Sequence, residues 1–395
     1  MFSGGFRPFF LLGSVWAAIA VPVWLAAYAH GYALRGTLPA LFWHAHEMVF
    51  GFGLAAVAGF LLTAIPNWTG RLPLRGTPLA GLALLWIAGR AALLASPIIG
   101  ALAAAAVDLA FPAALTAVVV RELVAGRNWR NLPMLGALAL LLAGSVLVHL
   151  HSLGLAYTAQ LGNRLGIATL LMLIALVGGR IVPSFTRNWL AKRPPGAAAP
   201  APEGGFDRVA LLLAVSALAS WVAVPDFLGT AVLLTLAGAA LAVRLSRWRG
   251  LSTLRDPLLF ILHLGYGWLA FGLMLLGLTG SSAALHALTV GAIGTMTLGV
   301  MTRASLGHTG RALAADRATR ALYLLVTAAA LLRLLSPIAG AQALLLLSLS
   351  GLTWSAAFAT FALHYAPILC RENPWAARPG QSGRSVTVEG RCAGS

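Results

Sequence analysis

Long apolar runs recur along the whole chain and leave little choice of fold. Stretches of about 20 apolar residues, long enough to cross the hydrocarbon core of a bilayer as a helix, alternate with short polar connections. We identify twelve such runs, at 9–29, 43–66, 77–95, 98–120, 133–155, 165–184, 207–224, 227–246, 257–279, 283–302, 319–335 and 338–366. Backbone polar groups inside a bilayer are satisfied within helices or closed barrels. The runs therefore predict an all-α, polytopic membrane protein with about twelve transmembrane helices.

Composition supports a membrane protein and argues against a nucleic-acid partner. Hydrophobic residues make up 59% of the chain and charged residues 9%, compared with about 25% charged residues in soluble domains. The net charge of +17 would suit a nucleic acid, but the basic residues lie singly or in small groups between apolar runs. We predict membrane lipid as the surroundings. Neither cysteine, Cys370 or Cys392, belongs to a C-x-x-C-H motif, which excludes covalent c-type haem.

The positions of the basic residues orient the chain. If the N-terminus is cytoplasmic, all but four of the 27 Lys and Arg residues fall on the cytoplasmic side, as the positive-inside rule requires. The four exceptions are Arg35, Arg90, Arg164 and Arg333. Any missed or additional span would scramble this separation. Both termini are therefore predicted to be cytoplasmic.

The chain divides in two different ways. A Pro-, Ala- and Gly-rich segment at 191–206 predicts a flexible cytoplasmic linker between helices 1–6 (residues 1–190) and helices 7–12 (207–370), and 371–395 predicts a disordered cytoplasmic tail. A weak internal repeat indicates a second division, into three four-helix units, since runs two, six and ten each end with a Thr beside or close to an Arg. Those threonines are Thr69, Thr186 and Thr302. Coincidence is the alternative, because helix ends favour such residues.

The most informative short motif is Trp43-His44-Ala45-His46-Glu47-Met48, at the outer end of the second run. Ionisable groups inside a bilayer are costly, so they indicate a functional site by default. Successive residues of a helix turn by about 100°, so His44 and His46 point about 200° apart. One pair can therefore serve two sites, one on each side of its helix. Glu47 shares the face of His44.

Six histidines are predicted to lie at one depth near the outer boundary. A second H-x-H, His149 and His151, ends the fifth run, His286 opens the tenth, and His30 closes the first. Neutral imidazole ligates metals and b-type haem. Together the six could hold a bis-His haem, a His-ligated haem and a three-His metal, or some subset of these. For His30 an interfacial polar residue is an equal alternative, and packing competes with ligation at His286.

Three charged residues complete the predicted site. Glu47 is a candidate metal ligand, proton donor or partner that orients a histidine. Asp108 is the other acid deep in an apolar run. Arg90 is a candidate partner of Asp108 or counter-charge for haem propionates, and a purely structural buried ion pair is equally plausible.

Three blocks of this sequence resemble the NnrS family. They are Phe6–Phe10, the WHAHEM block continuing through Gly59–Gly70, and Leu288–Arg311. The similarity extends over nearly the whole chain apart from the linker and the tail. The family comprises bacterial polytopic membrane proteins described as containing haem and copper and associated with the response to nitric oxide. The resemblance supports His44, His46, Glu47 and His286 as motif positions, whereas His149 and His151 depend on their spacing.

The resemblance implies a haem protein of nitric oxide metabolism in a bacterial cytoplasmic (inner) membrane. Its expected cofactors are one or two haem b groups with copper or non-haem iron. The resemblance does not by itself supply a reaction. From a ferrous haem with a copper or iron beside it we expect the reduction of two NO to N2O, with electrons from quinol or cytochrome c and protons relayed by Glu47. Haem–copper oxidases and nitric oxide reductases also have twelve helices and a threefold pseudo-repeat, although this chain lacks their motifs. The alternatives are a non-enzymatic NO- or copper-binding protective or signalling protein, and a transporter.

Overall fold

The computed structural model describes residues 1–30, 36–193 and 199–371, except the side chain of His30. These ranges contain helices joined by short connections and no strand. Twelve of the described helical segments are long and apolar enough to cross a membrane. Numbered as spans 1 to 12, they are Phe6–Ala29, Ala40–Thr69, Thr77–Leu94, Ala101–Ala125, Trp129–Ser152, Ala159–Leu190, Gly205–Ala223, Leu228–Ser246, Pro257–Thr279, Ser282–His308, Arg317–Ile338 and Gly340–Cys370. The predicted all-α, twelve-span membrane fold is confirmed.

Several spans are longer than the apolar runs that predict them. Span 6 runs over Ala159–Leu190, although the apolar run covers 165–184 only. The helix continues because residues such as Arg187 extend it while their charged ends reach toward water. Short helices also lie in the connections, at Ser96–Ile99 and Gly250–Thr253, while 3-10 turns form the ends of spans 5, 11 and 12, at Trp129–Asn131, Ser336–Ile338 and Gly340–Gln342.

The two ends of the described chain meet on one face of the molecule. The amino group of Met1 donates to the carbonyl of Cys370 at 3.3 Å, and Arg7 Nη1 donates to the carbonyl of Leu369 at 2.8 Å. An even number of crossings requires this arrangement. That this face is cytoplasmic stays a prediction from the charge distribution. Residues 194–198 of the predicted linker and 372–395 of the predicted tail lie outside the described residues.

Spans 2, 6 and 10 depart from regular α-helical geometry. Each contains a π-helical segment, at Glu47–Gly53, Ile174–Gly178 and Ala287–Gly294 respectively. The flanking α-helices are Ala40–His46 and Leu54–Thr69, Ala159–Leu173 and Gly179–Leu190, and Ser282–His286 and Thr295–His308. π-Helical turns are rare and occur mostly at functional sites. These are the three spans whose inner threonines indicate the pseudo-repeat, so the irregularity falls on the second helix of each predicted unit.

The same three spans lie in the interior, together with span 9, of whose most apolar window 67% is buried. In their most apolar windows 67%, 56% and 67% of the residues are buried, compared with 33% in spans 7, 8 and 11. Spans 2 and 10 both contact span 6, while span 1 packs against span 12 and so brings the first and last helices together. The motif-bearing helices therefore form the centre of the bundle, where ionisable side chains are shielded from lipid.

Candidate functional site

The WHAHEM motif lies where span 2 changes from α- to π-helix. The α-helical part ends at His46 and the π-helical part begins at Glu47. The side chains of both residues are fully buried. His46 and His44 occupy opposite sides of the helix, as their spacing predicts. The motif therefore contributes to two separate places in the bundle.

The first place is a buried network that we call the acid–histidine cluster, formed by His46, Glu47, Arg90, Asp108 and His149. Its members come from spans 2, 3, 4 and 5. Asp108 Oδ2 lies 2.8 Å from His149 Nε2 and 3.2 Å from His46 Nε2. Two imidazoles thus converge on one carboxylate oxygen.

Arg90 joins the two acids of the cluster. Its Nη1 donates to Glu47 Oε2 at 2.5 Å, and its Nη2 donates to Asp108 Oδ1. Trp16 Nε1 also donates to Glu47 Oε2, at 2.7 Å. Arg90 is therefore the partner of Asp108, the first of the roles that the sequence allows for it. Its Nε is buried without a hydrogen-bond partner among the described residues, and its other predicted role, as a counter-charge for haem propionates, stays a prediction.

Two glycines make room for this network. A Cβ at Gly89 would lie 2.9 Å from Asp108 Oδ1, and a Cβ at Gly51 would lie 2.6 Å from Arg90 Nη1 and 2.7 Å from Glu47 Oε2. Real Cβ atoms do not approach other heavy atoms so closely. The backbones of spans 2 and 3 therefore come near the charged groups only because these positions lack a side chain.

The charges of the cluster leave room for one more positive charge. Glu47 and Asp108 carry two negative charges against one positive charge on Arg90, if both imidazoles are neutral. An uncompensated charge in a buried site is very costly. A proton on His46 or His149, or a bound cation, would restore neutrality. His46, Asp108 and His149 each offer one ligand atom, and these atoms all lie within 4.8 Å of one another.

The second place is a cavity of about 370 Å³ on the other side of span 2, which we call the His44–His286 cavity. His44 stacks on Trp24 with 4.3 Å between ring centroids. Its Nδ1 is buried and has no hydrogen-bond partner among the described residues. Arg333 of span 11 also lines the cavity. Among the described residues, no carboxylate lines it.

The hydrogen bonding of His286 determines its tautomer. Its Nδ1 lies 2.7 Å from the carbonyl oxygen of Ser282, one turn earlier in span 10. A carbonyl oxygen only accepts, so Nδ1 carries the hydrogen and the lone pair is on Nε2. This is the arrangement of a typical metal-ligating histidine, whose second nitrogen donates to a backbone carbonyl.

Of the other histidines predicted near the outer boundary, His151 has a described side chain, and it lies apart from both places, as do two histidines outside the predicted set, His263 and His364. His151 packs edge-on against Phe42 and Tyr157 rather than joining His149, and the side chain of His30 lies outside the described residues. His263 binds Thr186 at 2.9 Å, and His364 lies 2.7 Å from Asp316. Of the six imidazoles expected at one depth, the five that the structure describes are thus divided: His46 and His149 lie in the cluster, His44 and His286 line the cavity, and His151 is separate.

Sequence reasoning missed three contributors to these sites. Asp108 was predicted as an ion-pair partner of Arg90, but its contact with both His46 and His149 was not predicted. Arg333 was counted only as an exception to the positive-inside rule. That exception was itself a signal, because a basic residue on the outer side indicates a local role for its charge. Trp16 carried no signal, since tryptophans are common in membrane helices.

Comparison with protein families decides the relationship of the chain. The model of the NnrS family, described as NnrS protein, matches residues 1–373. The chain belongs to the NnrS family. Both H-x-H motifs, the acid–histidine cluster and the His44–His286 cavity lie within the matched residues. Comparison with curated proteins gives no match. Membership relates this multi-pass membrane protein to the nitric oxide response.

Proposed function

We propose that this NnrS protein binds haem b in the His44–His286 cavity and there binds nitric oxide and reduces it to N2O. The observation that supports this most is the cavity itself, which has two imidazoles from spans 2 and 10 on its walls. Its volume of about 370 Å³ falls within the range of about 300–1,000 Å³ typical of ligand pockets. We further propose the cytoplasmic membrane of a bacterium as its location.

The chemistry of the donors fits haem b. His286 Nε2 has a free lone pair, and His44 Nδ1 is a buried nitrogen without a partner. The indoles of Trp24 and Trp354 provide aromatic walls, and Arg333 provides a positive charge suited to propionate. When bound, haem supplies an iron atom that binds NO and exchanges electrons.

The protein's own residues exclude water and supply protons. The balanced reaction is 2 NO + 2 e⁻ + 2 H⁺ → N2O + H2O, with quinol or a cytochrome c as the electron donor. The apolar surroundings of the cavity keep bulk water away from reactive species. The proton-holding groups are His46, His149 and Glu47 in the acid–histidine cluster, with His46 Nδ1 3.9 Å from Glu47 Oε1.

The acid–histidine cluster is a candidate site for copper or non-haem iron. Two imidazoles and one carboxylate are ligands that both metals accept. His46 Nδ1 and Glu47 Oε1 are buried without hydrogen-bond partners among the described residues. A cation held by His46, Asp108 and His149 would also neutralise the excess negative charge. It would supply a second redox-active centre on the other side of span 2.

The alternative is a protein that binds NO without turnover, for protection or signalling. One observation favours it, because no carboxylate of a described residue lines the His44–His286 cavity. The acids that could deliver protons lie in the cluster, on the opposite side of the helix. Turnover therefore requires a proton path around span 2, whereas binding does not.

The deciding experiment is an optical spectrum of purified protein, oxidised, reduced and exposed to NO, with haem and metal quantified on the same sample. Reduced b-type bands that shift with NO are expected. His44→Ala and His286→Ala should each remove or alter them, while His364→Ala, outside both places, should not. Folded protein without haem would contradict the proposal.

Turnover separates the enzyme from the binding protein. Haem-loaded protein in vesicles receives a quinol or a reduced cytochrome c together with NO, and N2O is measured. Production of one N2O for every two electrons consumed supports the reductase. A stable NO adduct without N2O would replace the reductase by the binding protein and leave the haem site intact.

A further inference from the structure

Three cavities follow one another along spans 2, 6 and 10. The His44–His286 cavity comes first, and Leu170 and Ile293 on its wall also line the next cavity. We call that second cavity the throat. The throat in turn shares Phe10, Phe60, Ile181 and Val300 with a third, which we call the inner cavity. The three spaces therefore adjoin one another in a column along these spans, separated by the side chains that they share.

The order of lining residues along each span confirms that this column runs across the membrane. In span 10, His286 lines the first cavity, Met296 the throat and His308 the inner cavity. At about 1.5 Å rise per residue, the distance from His286 to His308 is about 33 Å. That is close to the thickness of a bilayer's hydrocarbon core, about 30 Å.

The throat differs in polarity from the cavities at its two ends. The inner cavity is lined by Asn67, Arg303 and His308, and the first cavity by His44, His286 and Arg333. Of the described residues that line the throat, none is charged and Thr297 is the one with a hydroxyl group. The column is thus polar at both ends and apolar in the middle.

The size and lining of the throat suit a small apolar ligand. Its volume is about 100 Å³. Water needs two to four polar partners, which this lining does not offer, whereas apolar cavities take up ligands such as xenon. Moving water or a proton into such a space has a high free-energy cost. A neutral diatomic gas carries no such cost.

We propose that the throat is a binding and transit site for small apolar gas molecules, which admits them from the inner cavity to the His44–His286 cavity while it stops water and protons. That the physiological gas is NO rests on the proposed function. The gas site itself does not. It follows from the column of cavities and from the apolar lining between two polar ends.

Xenon tests the site independently of haem and of activity. Crystals of the wild-type protein under xenon pressure should show an anomalous peak among Ala56, Val177 and Val300. Ala56→Leu, which fills part of the throat, should remove that peak. Ala103→Leu, the same change at an exposed position of span 4, should leave it. Wild-type crystals without xenon in the throat would overturn the proposal, whether or not the variants fold.

The rate of gas arrival tests transit. With haem-loaded protein, Ala56→Leu should slow the rebinding of NO after flash photolysis by on the order of tenfold, because overpacking raises the barrier to passage. Ala103→Leu should rebind NO at the wild-type rate. Equal rates in both variants would overturn the transit role. Protein that takes up xenon but contains no haem would refute the proposed function and leave the gas site standing.

Proton leakage tests the barrier. Wild-type protein in liposomes should hold a pH gradient, followed with an enclosed pH-sensitive dye. Val57→Asp places a charged group in the throat and should make the gradient decay faster. Asp in place of Val209, an exposed residue of span 7, is the matched control. No difference between Val57→Asp and this control would overturn the claim that the dry throat stops protons.

Discussion

The two sides of span 2 show contrasting ways to keep polar groups inside a membrane protein. The acid–histidine cluster is filled, since Arg90 binds both Glu47 and Asp108, and Asp108 meets both imidazoles. The His44–His286 cavity is open, with a volume of about 370 Å³ and no carboxylate from the described residues on its wall. Within the cluster Arg90 pairs with both carboxylates and leaves room for one further proton or cation, whereas the cavity offers imidazole nitrogens that a ligand has yet to satisfy.

This contrast separates structural from ligand-dependent stabilisation. Removing one member of a filled ionic network leaves its partners buried and unpaired, at a high free-energy cost. Removing a side chain from a cavity wall leaves few groups unpaired. Substitutions in the cluster should therefore reduce the free energy of unfolding, while those in the cavity should change ligand content.

The largest effect is expected from Asp108→Asn. This change leaves Arg90 with one carboxylate and deprives His46 and His149 of their charged acceptor. Breaking a buried ion pair costs about 3–5 kcal/mol, measurable as the free energy of unfolding in bicelles. Asp226→Asn, in the exposed connection between spans 7 and 8, is the matched control. A loss of about 1 kcal/mol or less, as for an exposed pair, would end the distinction between cluster and cavity.

Gly89→Ala should come next. The new Cβ would lie 2.9 Å from Asp108 Oδ1 and 3.1 Å from its Cα, so spans 3 and 4 must separate. Overpacking of this kind costs about 1–3 kcal/mol. Gly81→Ala on the same span has no atom within 4 Å of its Cβ and should be neutral or slightly stabilising. Equal unfolding free energies for the two variants would show that the cluster tolerates expansion.

Trp16→Phe tests the edge of the cluster. It removes the 2.7 Å hydrogen bond to Glu47 Oε2 and keeps an aromatic ring. Hydrogen bonds to charged groups contribute about 1.5–3 kcal/mol, and Glu47 retains Arg90, so we expect the lower end of that range. The double variant Trp16→Phe with Asp108→Asn should depart from additivity, because both changes act on one network. Strict additivity would contradict that connection.

The smallest effect on folding is expected from His286→Ala. The ring loses one hydrogen bond to the backbone of its own helix, which amounts to about 1 kcal/mol or less. Haem content should nevertheless fall, in contrast to Gly89→Ala, which should retain haem once folded. Measuring unfolding free energy and haem content on both variants sharpens the comparison. If His286→Ala were the more destabilising of the two, the cavity would be a structural element rather than a ligand site.

Much of the fold could be predicted because the bilayer restricts the options. A helix must be about 20 apolar residues long to span the membrane, so the twelve runs indicated the twelve spans directly. The ends of the spans were less accurate, as span 6 shows by extending to Leu190. Polar residues continue a helix beyond the hydrocarbon core, and hydropathy does not indicate at which residue the helix ends.

The site could be predicted only in part. Spacing alone indicated that His44 and His46 serve different sides of their helix, and depth alone indicated that His149 and His286 lie near them. Neither spacing nor depth distinguished His149 from His151, which lie two residues apart on span 5. One contacts Asp108 and the other packs against Phe42, because the rotation of a helix about its axis depends on its neighbours.

The sequence by itself determined the class of fold, the number of spans and the family, because these follow from hydropathy and from local motifs. Only the tertiary structure decided which charges meet. Asp108 reaches His46 and His149 because span 4 packs between spans 3 and 5, and Gly89 permits the close approach. The central column likewise exists only because spans 2, 6 and 10 come together. Such contacts join residues far apart in the chain, and local preferences carry no information about them.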